Sequence, residues 1–336
     1  MTRFSRTILS LLIPLALIAC GSSSKKSSTQ SLTQKPLAKQ VSAPVFNTDS
    51  AYHYIETQVS FGPRVPNSKE HQACAHYLER KLNQLGAKVY RQDFEAVAYD
   101  GTILNASNLI GSYQPDNKKR ILLCAHWDTR PWADNDPNPQ NHQTPILGAN
   151  DGASGVGVLL EVARQIQIQA PSLGIDLVFF DVEDYGAPQF YEGEHKEEHW
   201  CLGSQYWSRF PHTPNYNARF GILVDMVGGK NASFYKEGYS NYFAKKITKK
   251  VWDQAHQLGY GQYFIKQEGG TVIDDHLFIN QLANIKTIDI IPYHPENQQS
   301  SFGDTWHTVN DNMDVISKET LQAVGQTILA IIYNEN

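Results

Sequence analysis

The 336-residue chain is 41% hydrophobic and 19% charged, which fits one large globular domain, or two small ones, with a sizeable core. Its 29 Lys and Arg against 34 Asp and Glu give a formal net charge of -5. With no concentrated basic face visible, that balance argues against nucleic acid as a partner.

At the N-terminus Arg3 and Arg6 precede an apolar run from Ile8 to Ile18, and Leu17-Ile18-Ala19-Cys20 is followed by Gly21 and serines. This is a secretory signal, too short to span a bilayer comfortably. Its end resembles the bacterial lipobox, whose cysteine becomes the lipidated first residue of the mature chain; a plain signal with a chance cysteine is the alternative. Residues 1–19 are then a lipoprotein signal peptide, and residues 20–45 are lipidated Cys20 and a flexible tether. Residues 21–44 are rich in Ser, Lys, Gln and Thr and cannot bury enough surface to fold. The expected location is the cell envelope of a bacterium, periplasm or outer membrane, with the membrane as a partner through Cys20. Cys74, Cys124 and Cys201 remain, an odd number at wide spacing, which suits small core residues better than a disulfide framework.

Residues 46–336 form one continuous pattern. "SKEHQACAHYLERKLNQLG" (68–86) predicts an amphipathic helix capped by Ser68 and stopped by Gly86. Two alternating stretches around Asp100-Gly101 predict an antiparallel pair. Then come strand-like "RILLCAH", a helix from about Gly155 to Ile168, strand-like "IDLVFFD" and "FGILVDM", a helix from about Ser240 to Leu258, strand-like "IKTIDII", and a helix from about Lys318 to Tyr333. Wholly apolar strands alternating with helices predict a three-layer α/β/α domain around a mixed, mostly parallel sheet.

In such sheets functional groups collect beyond the carboxyl ends of the strands. There the chain carries His126 and Asp128 after "RILLCAH", Glu183 and Asp184 in "FFDVEDYG", Asp225 after "FGILV", and His307 in "DTWHTVND". Asp151 stands in "LGANDGASG", at a helix N-terminus behind small residues. Three acids within four positions after a buried strand call for something positive opposite them. Imidazoles with carboxylates suit zinc, which needs three protein ligands and one open position in a catalytic site. Each piece alone is commonplace, because an acid at a helix N-terminus is more often a cap. Their arrival at successive strand ends is not.

The motifs "AHWD", "GANDGASG", "FFDVEDYG", "LVDMVG" and "DTWHTVND" resemble, in order and approximate spacing, those of the zinc aminopeptidase superfamily. The resemblance implies that His126, Asp151, Asp184, Asp225 and His307 surround one or two zinc ions and that Glu183 is the general base. Three features resemble the glutaminyl cyclase branch, whose members convert N-terminal glutamine of peptides or proteins to pyroglutamate and release ammonia. They are "VIDDH" (272–276), Trp306 before His307, and the stretch "EDYGAPQFYEGEHKEEHWCLGSQYW", which offers Trp200 as a pocket wall. That branch implies a single zinc on Asp151, Asp184 and His307, with His126 and Asp225 as ligands of any second ion. It also implies Glu183 as proton carrier and Asp225 and Asp274 as a shared-proton pair behind it.

A cyclase needs no activated water, since the substrate's own α-amine attacks its γ-carbonyl. Position 184 is Asp where the wider superfamily has Glu, so Glu183 is an alternative ligand. All five two-metal ligands are present, which keeps aminopeptidase as the alternative activity. A lipid-anchored binding protein on the same scaffold would have no need of Glu183. "GASG" (152–155) lacks the spacing of a nucleophile elbow, making Ser154 a packing residue, and "GASGVGVLL" lacks the third glycine of a dinucleotide site. "EGEHKEEH" (192–199) reads as a solvated charged loop. Trp127 and Trp132 are open between core and pocket.

Overall fold

The computed structural model describes residues 42–335. In chain order these form α1 (Thr48–Val59), α2 (Lys69–Gln84), β1 (Lys88–Val97), β2 (Ile103–Tyr113), β3 (Arg120–His126), α3 (Ala153–Ile168), β4 (Gly174–Phe180), α4 (Leu202–Arg209), β5 (Gly221–Val224), β6 (Phe234–Lys236), α5 (Gly238–Gln257), β7 (Phe264–Glu268), α6 (Asp275–Phe278), β8 (Thr287–Ile290) and α7 (Lys318–Asn334). The signal peptide, Cys20 and the tether up to residue 41 lie outside the described residues.

Six strands make the main sheet in the order β1-β2-β4-β3-β5-β8. The β1–β2 hairpin and its junction with β4 are antiparallel, while β4, β3, β5 and β8 run parallel. Every residue of β3, β4, β5 and β8 is buried, as expected of strands covered on both faces. Side chains alternate across the sheet. Ile121, Leu123 and Ala125 of β3 join a core with α1, α2, α3, α5 and α7, whereas Leu122 and Cys124 meet Trp207 of α4 and Ile279 on the other face. The three-layer, mostly parallel architecture expected from the sequence is therefore present.

Local signals act as expected where they are strong. Ser68 accepts from the His71 N–H to start α2, Gly86 ends it at φ +82°, and Gly101 turns the hairpin at φ +86°. No local pattern marked α1, α4, α6 or the small parallel β6–β7 sheet. α6 is one turn long, and α1 draws its hold from tertiary packing of Ala51, Tyr54 and Ile55. Residues just before α1 also touch the domain. The carbonyls of Ser42 and Pro44 accept from Gln169 and Gln326, and Phe46 packs where Gly325 of α7 leaves no room for a Cβ. Among the described residues no helix is long and apolar enough to cross a membrane.

Candidate active site

The parallel strands end along one edge, and there the acids sort by role. After β4, Asp181 is structural. Its carboxylate accepts from the N–H groups of Val182 and Ser107 at 2.9 and 2.6 Å and lies 2.8 Å from His71 Nε2. That grip holds Val182 at φ +51°, a costly conformation for a β-branched residue, and so turns Glu183 and Asp184 toward the strand ends. Asp128, one of the metal-ligand candidates, instead accepts from the N–H groups of Glu183 and Asp184 at 3.1 and 3.2 Å. It shapes their loop.

Asp151 stands between two groups. Its Oδ1 is 3.0 Å from His126 Nε2, which is also 3.1 Å from Asp225 Oδ1, and its Oδ2 is 3.8 Å from His307 Nε2, itself 3.2 Å from Asp184 Oδ1. Within each trio, His126–Asp151–Asp225 and Asp151–Asp184–His307, the potential ligand atoms all lie within 4.8 Å of one another. Close backbone packing makes this meeting possible. A Cβ on Gly155 would stand 2.3 Å from the Val224 carbonyl, so glycine lets the start of α3 press against the end of β5. Asp311 then fixes the loop by accepting from the N–H groups of Asn150 and Asp151 at 2.7 and 3.0 Å.

His307 is held from every side. It adopts φ +54°, its ring lies 3.7 Å from that of Trp306 at 22°, and Trp200 stacks parallel at 6.3 Å. Arg130, fully buried, grips Asp134 through two hydrogen bonds of 2.7 and 2.6 Å, and Asp134 Oδ1 stands 3.3 Å from His307 Nδ1. A carboxylate on the far nitrogen of a histidine orients the ring for metal binding. The Arg130 guanidinium also lies 4.7 Å over Trp200, and Gly186 makes room for that indole, since a Cβ there would approach it to 2.1 Å.

Beyond Asp184, Glu183 faces Cys201, whose thiol donates to Oε1 at 3.2 Å, and its carboxylate lies within 4.8 Å of a carboxylate oxygen of Asp274. Burial pushes the Glu183 carboxyl well above the ordinary glutamate range; His126 opposes the shift, and Asp184, Asp274 and Asp275 reinforce it. Burial likewise lifts Asp225 to about 7 against the pull of His126. Around His126 the desolvation of the ring works against protonation, yet Asp225, Asp128 and Asp151 hold its pKa well above the ordinary value. Asp225 is thus a direct neighbour of His126 with Asp274 also raising its pKa, while the carboxyl that shares a hydrogen bond with Asp274 is Asp289 of β8, fully buried and itself raised well above the ordinary range by burial and by Asp274. His276 lies between this group and Glu237, with Nδ1 3.8 Å from Asp289 and Nε2 3.0 Å from Glu237.

These groups open into a cavity of about 360 Å³ lined by Asp151, Glu183, Asp184, Asp225, Asp274 and His307 together with Trp200 and Trp306. The residues expected to act thus meet at one place, with His126 behind the lining beside Asp151 and Asp225. Ser154 is buried and bonds the Asn150 carbonyl, as a packing residue should. Trp127 is core, stacked on His71 at 4.4 Å, and Trp132 packs against Tyr185 and Tyr99 outside the cavity. The 192–199 loop is exposed as expected, but His195, Lys196 and Glu197 also reach the cavity rim. Sequence reading missed Arg130, Asp134, Cys201, Glu237, His276, Asp289 and Asp311. Only a buried charge in an otherwise apolar strand, Asp289 in "TIDII", carried a signal.

The donor set fits zinc. Two carboxylates and an imidazole meet, Asp184 Oδ2 is buried without a hydrogen bond, and ligand bonds of about 2.0–2.1 Å in a tetrahedron imply edges of about 3.3 Å. Residues 108–332 match Peptidase family M28. The chain belongs to that family. Among M28-like solved structures, the glutaminyl cyclase of Bacteroides thetaiotaomicron bound to N-acetylhistamine is 65% identical with a TM-score of 0.86, covering 88% of this chain and 100% of that one. A Zn-dependent exopeptidase from Parabacteroides distasonis is 54% identical with a TM-score of 0.86 and the same coverage. The aminopeptidase YwaD of Bacillus subtilis is 28% identical over 243 residues, which are 68% of this chain; the match spans only 44% of that protein. Both activities weighed from the sequence thus occur among M28 relatives.

Proposed function

We propose that this chain is a zinc-assisted glutaminyl-peptide cyclotransferase, converting N-terminal glutamine of peptides or proteins to pyroglutamate with release of ammonia. The observation that carries the reading is Glu183: a largely buried carboxyl, its side chain 12% exposed, of raised pKa, that shares an aromatic-walled cavity with Asp151, Asp184 and His307. The 65% identity over 88% of the chain to a glutaminyl cyclase supports it.

Asp151, Asp184 and His307 would hold one zinc ion, which when bound supplies Lewis-acid polarisation of the γ-carbonyl oxygen. Trp200 and Trp306 wall the neutral side chain and keep water out, so the α-amine and γ-carbonyl meet as an intramolecular pair. Glu183 takes a proton from the attacking amine and gives it to the amide nitrogen; the new N–C bond forms as the old one breaks and ammonia leaves. Its raised pKa suits both halves of that transfer. Asp274, within reach of Glu183, and Asp225 hold the substrate's amine side of the pocket.

A second reading rests on one observation, the His126–Asp151–Asp225 trio, which shares Asp151 with the first trio and would hold a second zinc ion, supplying the water activation that an aminopeptidase needs. Incubation with Gln-naphthylamide and Leu-naphthylamide separates them. The cyclase reading expects ammonia from the first and no cleavage of the second; cleavage of Leu-naphthylamide alone overturns it. Elemental analysis of zinc per chain bears on one ion against two. The lipid anchor at Cys20, the signal peptide of residues 1–19 and the bacterial envelope location are proposed on the N-terminal sequence alone. Mass spectrometry of the membrane-extracted chain, expected to show acylated Cys20, tests them.

A further inference from the structure

A second cleft of about 440 Å³ adjoins the catalytic cavity and shares Met226 and Phe302 with it. Its position matters because the cyclotransferase reading, on which this inference rests, requires a substrate that continues beyond its first residue. That continuation leaves the cavity over its rim, which the exposed Thr271 also lines; two other stretches of that rim stand out. One is the charged turn at His195–Glu197, exposed, with Lys196 engaged by Glu194 at 3.0 Å. The other is Phe302, whose ring meets that of Trp306 at 5.0 Å, so the second cleft begins two rings away from His307.

The linings of the two spaces differ in kind. The first pairs acids and metal-binding groups with aromatic walls, whereas the second, with Lys230, Asp304 and Asp314 as its charged lining, offers the side-chain amides of Asn150 and Asn231 and the Thr305 hydroxyl, groups that match peptide N–H and C=O. Asn150 Oδ1 accepts from the Gly228 N–H at 2.8 Å, and its amide nitrogen would stand 3.1 Å from a Cβ on Gly229. Glycine there avoids that contact, and its carbonyl is held by the Thr320 hydroxyl at 2.8 Å. Asn231 sits exposed at φ +58° on the cleft's edge. Main-chain groups of a bound peptide lose water on entering and need such partners to replace it.

We propose that this cleft binds the main chain of the residues following the N-terminal glutamine, so that peptides and protein N-termini are recognised over more than the reacting residue. The test compares kcat/KM for Gln-naphthylamide with that for Gln-initiated pentapeptides, using the zinc-loaded protein and three variants whose fold is checked by thermal melting. Asp314→Trp fills the cleft from an exposed position, Asn231→Gly removes the amide at a φ that glycine adopts freely, and Lys196→Ala alters the opposite lip. The expected result is a gain of at least about fivefold with length, mainly through KM, which Asp314→Trp erases, Asn231→Gly reduces and Lys196→Ala leaves in place. A gain kept in Asp314→Trp overturns the proposal, in favour of the charged lip where Lys196→Ala abolishes it and of another part of the rim where it does not. No gain with length also overturns it while leaving the cyclase reading intact. No ammonia from any glutamine substrate overturns both.

Discussion

Cys201 holds Glu183 at both ends: its thiol donates to the Oε1 at 3.2 Å and its backbone N–H to the Glu183 carbonyl at 2.9 Å. Burial raises the thiol's pKa well above its usual value, with Glu183 and Asp275 adding to the shift, so it stays protonated and stays a donor. The cysteine expected to be a small core residue is therefore also a positioning residue for the proton carrier. Cys201→Ala should lower kcat about fivefold with little change in KM, the scale of one hydrogen bond worth about 1 kcal/mol. Cys201→Ser, which keeps a donor, should recover most of the loss. Steady-state kinetics on Gln-naphthylamide measures both, and equal activity in all three proteins would show that the thiol does not orient the carboxylate.

Glu183→Gln keeps the shape of the site and removes the proton carrier. Turnover should fall at least about 10²-fold, the lower range for loss of general acid–base catalysis. Zinc per chain should stay near the wild-type value, because Asp151, Asp184 and His307 are untouched. Loss of zinc from Glu183→Gln would mean that positions 183 and 184 exchange roles.

Asp311 touches neither substrate nor metal group, yet it receives the N–H groups of Asn150 and Asp151. Asp311→Ala would leave two buried donors unpaired and free the Asp151 loop. Outer partners of metal ligands are commonly worth about 10–100-fold in affinity, and a weakening of that size is expected in chelator competition. An unchanged zinc affinity would relegate Asp311 to fold stability.

How much of this was written in the sequence depends on the range of the interaction. The parallel strands were legible because "RILLCAH" and "IDLVFFD" are apolar throughout, and the ligand positions because they follow those strands directly. Asp151, Asp184 and His307 lie 33 and 123 residues apart along the chain, so only the topology brings them together. The supports were not legible. Arg130 and Asp134 form an i, i+4 pair outside any helix, Cys201 reaches Glu183 because a left-handed residue starts α4, and Asp311 meets Asp151 across 160 residues. None of these has a local period or a composition to mark it. The separation of Asp181 from its neighbours in "DVED" likewise needed His71 and the Ser107 N–H, both distant in sequence.

Glu237 offers a test of the network behind Asp274 through its pH dependence. It is buried at the N-terminus of α5 and accepts from the N–H groups of Tyr239, Ser240 and the pocket residue Val272, and from His276. Burial raises its pKa, but His276 and the Ser240 N–H outweigh that and bring it from 4.5 down to about 2. A carboxylate with a depressed folded pKa stabilises the fold above its unfolded pKa, and that contribution disappears as pH falls through the folded one. The Glu237 contribution is thus complete above pH 4.5 and declines as pH drops toward 2; a displacement of this size corresponds to on the order of 3 kcal/mol. The difference in unfolding free energy between wild type and Glu237→Gln, measured in urea on metal-free protein, should be largest above pH 4.5 and shrink on acidification. The other carboxylates titrate in both proteins and cancel in that difference. A difference that stays constant or grows as pH falls would mean that Glu237 is not ionised in the fold, and the hold on Val272 and His276 would then need another explanation.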